Sequence, residues 1–280
     1  MAVVLALASA AVYGTADFLG GLASRRASVF GVVALSQVAG LVALLALLPW
    51  LGGPMGVVDL AWGVAAGMAG ATGLVIFFRT LARGVMSVVA PITAVTAAAV
   101  PVLVGLLAGE RIGVWSGVGI ALALVAVVLV SAEGGLAALR AARPASIPPA
   151  LAAGTAFGVF FVFLDRTGDD TGLTPLVAAR LASVALVVAI ALAGRRSLRV
   201  PRASLGLVAA SGVGDMTANA LFLLATQEGG QLAIVGVLAS LYPVSTVVLA
   251  QVVLRERLVP AQMAGLASAF AAVVLITLPG

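Results

Sequence analysis

The 280-residue chain has no cysteine, no histidine and no lysine, and only 9% of its residues are charged. Without cysteine and histidine there are no disulfides, thiolate nucleophiles or haem attachment, and almost none of the usual zinc or copper sites. Without lysine there is no Schiff base and no P-loop lysine to cradle a nucleotide phosphate. Redox chemistry and direct ATP hydrolysis are therefore excluded, neither a metal site nor a cofactor is expected, and an ATP-driven pump would need a separate motor chain.

The shortage of charge sets the class, because a soluble domain carries about 25% charged residues. Here 63% of the residues are apolar and the mean hydropathy is +1.25. Ten spans of about 20 residues would consume most of such a chain and leave only short connectors. All the positive charge behind the net +5 is arginine, placed at the ends of apolar runs. There it sets topology and meets anionic lipid headgroups, so the bilayer is an expected partner and nucleic acid is not.

Apolar runs interrupted by charges or turn residues predict ten helices near 3–23, 28–50, 59–80, 85–108, 112–132, 147–165, 174–194, 204–226, 231–254 and 260–279. Pro148, Pro149 and Pro260 occupy first turns, where proline is tolerated, and Trp50, Trp62 and Trp115 lie at proposed ends. The first run lacks a basic n-region and continues through Asp17, so it reads as helix one rather than a cleaved signal. Residues 133–146 mix Gly, Ala, Arg and Pro and read as a linker between halves 1–132 and 147–280.

A shift of 146 aligns residues 84–131 with 230–277 without a gap, matching Glu110-Arg111 to Glu256-Arg257, Gly84 to Gly230 and Gly119 to Gly265. Shifts of 144 and 143 pair Gly14 with Gly158, Tyr13 with Phe157, and Gln37 with Arg180. Five helices per half, an odd number, invert the second half in the bilayer. Inverted repeats are typical of transporters that alternate access around a midplane site.

The stretches YGTADFLGG (13–21), GERI (109–112) and RERLVPAQMAGLASAFAAVVLI (255–276) resemble the EamA-type members of the drug/metabolite transporter superfamily. The resemblance covers essentially the whole chain. It implies a ten-helix carrier, mostly exporting amino acids, metabolites or toxic compounds, with the cargo left open and both termini in the cytoplasm. The arginines oppose that orientation. Twelve of the 15 fall on the side away from the termini, while Arg111 and Arg166 fall on the terminal side. The positive-inside rule then puts both termini outside.

Ionisable groups inside spans are costly, at least about 2.5–3.5 kcal/mol each on insertion scales, and they mark functional sites. Asp215 lies near the middle of helix eight, with Asp17 and Arg180 offset by about 6 Å to opposite sides, so Asp215 can meet either neighbour but those two are not expected to touch. One reading makes Asp17 or Asp215 the proton or cation site and Arg180 a carboxylate holder, suiting zwitterions. The other makes Asp215 and Arg180 an ion pair that only fixes packing. Gln37, Asn219, Tyr13 and Tyr242, with Phe157 and Phe161, complete the candidate substrate-binding set.

Pro91 and Pro101 in helix four and Pro243 in helix nine interrupt backbone bonding and are hinge candidates. Gly63/Gly67, Gly105/Gly109, Gly113/Gly117 and Gly154/Gly158 are spaced for close helix packing, chiefly within the chain. The two Glu-Arg pairs are expected to cap helices or latch a face. The expected protein is thus an all-α carrier for a small organic molecule in a bacterial cytoplasmic membrane, monomeric or homodimeric and not an enzyme. A proton-driven cycle and facilitated diffusion both remain open, and a passive channel or facilitator is the main alternative.

Overall fold

The structure is a computed structural model that describes residues 1–81, 86–131, 147–254 and 258–278. The described residues form helices α1 (Ala2–Ser24), α2 (Val29–Leu51), α3 (Val57–Leu81), α4 (Met86–Leu107), α5 (Val114–Ser131), α6 (Ile147–Asp165), α7 (Thr174–Ala193), α8 (Leu205–Gln227), α9 (Leu232–Ala239), α10 (Tyr242–Leu254) and α11 (Pro260–Thr277). Among them there is no strand, only an isolated bridge between Gly52 and Gly172. Among the described residues nine segments are long and apolar enough to cross a membrane, with α9 and α10 counted as one span. The tenth is α4, whose apolar stretch Ile92–Leu107 is shorter. The linker 133–146, Gly84 and Glu256-Arg257 lie outside the described residues.

One helix departs from expectation. The run 231–254 predicts a continuous ninth helix, but the chain breaks at Ser240 and Leu241 between α9 and α10. Pro243 has no N–H to offer the Ala239 carbonyl, so bonding tightens to three-residue spacing, with Leu241 N donating to Leu238 O (3.2 Å) and Val244 N to Leu241 O (2.9 Å). In contrast, α4 runs unbroken through Pro91 and Pro101.

In lipid the hydrophobic effect does not drive helices together, so packing rests on small side chains and close backbone approach. The core accordingly mixes many fully buried alanines, such as Ala6, Ala98, Ala153 and Ala218, with a few large residues, among them Phe222, Leu44 and Leu238. Large apolar residues such as Trp50, Leu107, Val252 and Phe270 remain exposed and form the lipid-facing surface.

The glycine contacts display the internal symmetry. Gly67 of α3 sits against the Ala179 backbone of α7, and Gly212 of α8 against the Ser36 backbone of α2. Gly14 of α1 abuts Tyr242 and Ser245 of α10, and Gly158 of α6 abuts Ala97 and Val100 of α4. Gly119 of α5 meets Ala272 and Ile276 of α11, while Gly265 of α11 meets Val130 of α5. Each contact and its mate exchange the two halves of the chain, so the halves clasp one another across a pseudo-two-fold axis. Gly63 and Gly154 likewise pack within the bundle, whereas a side chain at Gly117 would meet nothing.

Loop contacts fix which connectors share a face. Leu173 N donates to Leu51 O (2.8 Å) and Gly53 N to Thr171 O (3.0 Å), joining the α2–α3 and α6–α7 turns on the face that carries the N-terminus. On the opposite face the Ser28 hydroxyl donates to the Ser197 carbonyl, joining α1–α2 to α7–α8. Asp59, Asp169, Asp170 and Glu228 lie on the first face, and Arg25, Arg26, Arg195, Arg196, Arg199 and Arg202 on the second.

Candidate functional site

At mid-depth a polar network joins α2, α7 and α8. The Arg180 guanidinium donates through Nη2 to Asp215 Oδ2 at 2.6 Å and through Nη1 to Gln37 Oε1 at 3.0 Å. Gln37 Oε1 also accepts from the Ser183 hydroxyl at 2.5 Å. Arg180 and Gln37 are buried, whereas the Asp215 side chain is 40% exposed. The guanidinium is therefore engaged by a counter-charge and an amide, and the outer part of the Asp215 carboxylate faces open space. Ser183 is absent from the sequence-derived set. Its signal was available, since it lies three residues beyond Arg180 on the same helical face.

Asp17 occupies a different position. It is exposed, and among the described residues it has neither an ion pair nor a side-chain hydrogen bond. It lies within electrostatic reach of Asp215 and Tyr242, and Tyr13 in turn feels Asp215, Arg180 and Asp17. Open surface at this depth borders either lipid or a water-filled space, and the cost of a carboxylate in hydrocarbon favours the latter.

Aromatic rings wall this region. Tyr13 contacts Phe161 edge-on (centroids 6.2 Å apart) and Tyr242 at 6.4 Å, and Phe161 packs on Phe160 (5.4 Å) and Phe222 (4.4 Å). Phe157 lies elsewhere, against Phe77 and Gly73 of α3. Phe160 and Phe222 lie outside the sequence-derived set, and neither is paired with Tyr13 across the repeat as Phe157 is.

Two buried polar atoms, Tyr13 Oη and Asn219 Oδ1, have no hydrogen-bond partner among the described residues. The Asn219 amide NH₂ is used, donating to the Asp215 carbonyl at 2.7 Å. A buried polar atom without a partner costs about 1–3 kcal/mol, so such atoms point to a water or ligand that completes them.

The hinge candidates adjoin the site unequally. The break before Pro243 puts Tyr242 at the start of α10, where its carbonyl lies over Gly14 and the Thr246 hydroxyl donates to the Gly14 carbonyl (3.1 Å). Pro101 packs on Gly236 of α9. Pro91 lies within α4.

Glu110 works at the membrane face. The α4 helix ends in a Schellman turn, with Gly109 at φ 91° and Glu110 N donating to Gly105 O (2.9 Å). That turn directs the Glu110 carboxylate across to the other half, where it accepts from Leu232 N (2.6 Å) and Ala233 N (3.0 Å) at the start of α9. Glu110 of the first Glu-Arg pair thus caps a helix of the opposite repeat. Glu110→Ala is expected to cost about 1 kcal/mol, in the range of helix caps, and to lower the melting temperature in detergent by about 2–4 °C. An unchanged melting temperature would mean that water replaces the carboxylate at no cost.

The fold and the site define a polytopic helical membrane protein whose two inverted halves enclose a polar, aromatic-walled centre. The chain belongs to the EamA-like transporter family, whose family model matches residues 1–132 and 146–278, once over each half. That family comprises membrane transporters of small solutes, not enzymes. One solved crystal structure superposes with a TM-score of 0.79 at 20% identity, over 99% of this chain and 96% of its own, a likeness in fold. No curated protein matches the sequence.

Proposed function

We propose that this transporter moves small organic molecules bearing an amine or another cationic group, by alternating access and in exchange for protons. The observation that carries this reading is the inequality of the three intramembrane charges. Arg180 and Asp215 answer each other at 2.6 Å, whereas Asp17 has no counter-ion among the described residues. With Asp17 ionised, the net charge left in the centre is negative, and with Asp17 protonated it is balanced. Around it stand the Tyr13 and Tyr242 rings, whose faces attract cations, and the free Asn219 Oδ1 acceptor. A carboxylate-bearing cargo would have to displace Asp215 or Gln37 to reach Arg180. The amine reading therefore has better support than the zwitterion one.

Alternation is assigned to rocking of the two halves, with the break at Ser240 and Leu241 absorbing the backbone change beside Tyr242. Export from a bacterial cytoplasmic membrane is the direction and location consistent with the family. The acidic face with the N-terminus and the arginine-rich face opposite support termini outside. A fluorescent C-terminal fusion would overturn that orientation, and an active periplasmic reporter at the same end would support it.

The test is flux in proteoliposomes for a panel of organic amines, neutral nucleobases and organic acids, with and without a pH gradient. Saturable amine flux that shows counterflow and is driven by the gradient is expected. Linear flux without counterflow would establish a channel, and saturable flux indifferent to the gradient would establish a facilitator.

A further inference from the structure

Two adjoining cavities open where the α1–α2 connector meets the α7–α8 connector. The outer one, of about 650 Å³, is lined by Arg25, Arg26 and Arg199 together with Ser28 and Ser197. The inner one, of about 320 Å³, is apolar and lies between Ala34, Leu35 and Val38 of α2 and Leu198 and Leu205. Val200 lines both, so the apolar hollow adjoins the arginine-lined one along a single path over the surface of the bundle. Ala34 and Val38 lie about 8 and 14 Å along α2 from its first residue, Val29, so the path descends from the membrane surface into the hydrocarbon layer.

The walls of this path are built into the fold. At the end of α7 the chain turns through Arg195, held in the left-handed region at φ 46°, and the Ser28 hydroxyl then latches the returning segment by donating to the Ser197 carbonyl. Gly31 allows α2 to lie against the Leu198 backbone, where a side chain would collide. Arg25, Arg26 and Arg199 are exposed, and none forms an ion pair among the described residues. Three uncompensated guanidiniums above an apolar slot call for a ligand with an anionic head and an aliphatic tail.

We propose that this path is a binding site for one anionic glycerophospholipid, with its phosphate held by Arg25, Arg26 and Arg199 and an acyl chain lying in the slot along α2. Arginine suits this role because its planar guanidinium meets phosphate oxygens bidentately, and basic pockets between membrane helices hold such headgroups. Charge complementarity selects the head, and the apolar continuation distinguishes a lipid from a free anion. The site is separate from the central cluster and does not depend on the nature of the cargo.

The experiment is native mass spectrometry of the full chain in detergent, titrated with dioleoylphosphatidylglycerol, dioleoylphosphatidylcholine or inorganic phosphate. One phosphatidylglycerol should be retained at least about ten-fold more tightly than phosphatidylcholine. The combined Arg25→Gln, Arg26→Gln and Arg199→Gln variant should lose that preference. The combined Arg196→Gln and Arg202→Gln variant, which removes charge from the same face outside the cavity, should keep it. Ala34→Trp, which fills the slot and leaves every arginine in place, should weaken phosphatidylglycerol alone and provides the reading should the first variant not fold. Equal retention of both lipids, or equal loss in the two arginine variants, would reduce the site to a diffuse basic belt and overturn the proposal. Competition by inorganic phosphate with no effect of Ala34→Trp would overturn it in favour of a free-anion site.

Discussion

Asp17→Asn is expected to lower gradient-driven amine flux by about 10- to 100-fold while leaving the protein folded and monodisperse. The size follows from the interaction removed, since a hydrogen bond to a charged group is worth about 1.5–3 kcal/mol and each 1.4 kcal/mol is a factor of ten. Folding should survive because asparagine keeps the shape of the side chain, and because Asp17 makes no ion pair or side-chain hydrogen bond among the described residues whose loss would orphan a partner. Asp17→Glu, which restores charge on a longer arm, should recover part of the flux. Flux unaltered by Asp17→Asn would return this carboxylate to a structural role and move the coupling site to Asp215.

The same residue shows what a sequence can and cannot reveal about such a protein. That Asp17, Arg180 and Asp215 matter is legible from composition alone, because a charge in an apolar span must be compensated or used. Which of the three is compensated is not legible. Depth along each helix left Asp215 able to meet either neighbour, and the choice rests on how α7 and α8 are rotated about their axes. That rotation is set by Gly67 on Ala179 and Gly212 on Ser36, contacts that arise only when two distant helices meet.

The broken ninth span has a similar origin. Pro243 announced lost bonding, but proline also lies within the unbroken α4, so its presence alone did not locate a break. The two-half organisation, by contrast, was written in the Glu-Arg pairs and the glycine matches. Its physical content emerges only in the fold, where Glu110 of one half caps α9 of the other.

The Arg180 and Asp215 pair offers the second large effect, and its asymmetry is the informative part. Removing one partner of a fully buried pair costs about 3–5 kcal/mol, because the survivor keeps its charge without compensation. Here the partners differ, with 9% of the Arg180 side chain exposed against 40% for Asp215. Asp215→Asn strands the buried guanidinium, so a cost near the lower end of that range, about 3 kcal/mol, is expected. Arg180→Gln strands a carboxylate that open space can hydrate, which brings its cost to about 1–2 kcal/mol. The double variant should be more stable than the sum of the two losses predicts, with a coupling of about 1–3 kcal/mol in a thermal-denaturation cycle. Equal single costs would mean that the carboxylate is as poorly hydrated as the guanidinium and that the centre is dry. Additive costs would mean that the 2.6 Å contact contributes no coupling to stability, leaving Arg180 free to receive a carboxylate cargo and reopening the zwitterion reading of the site.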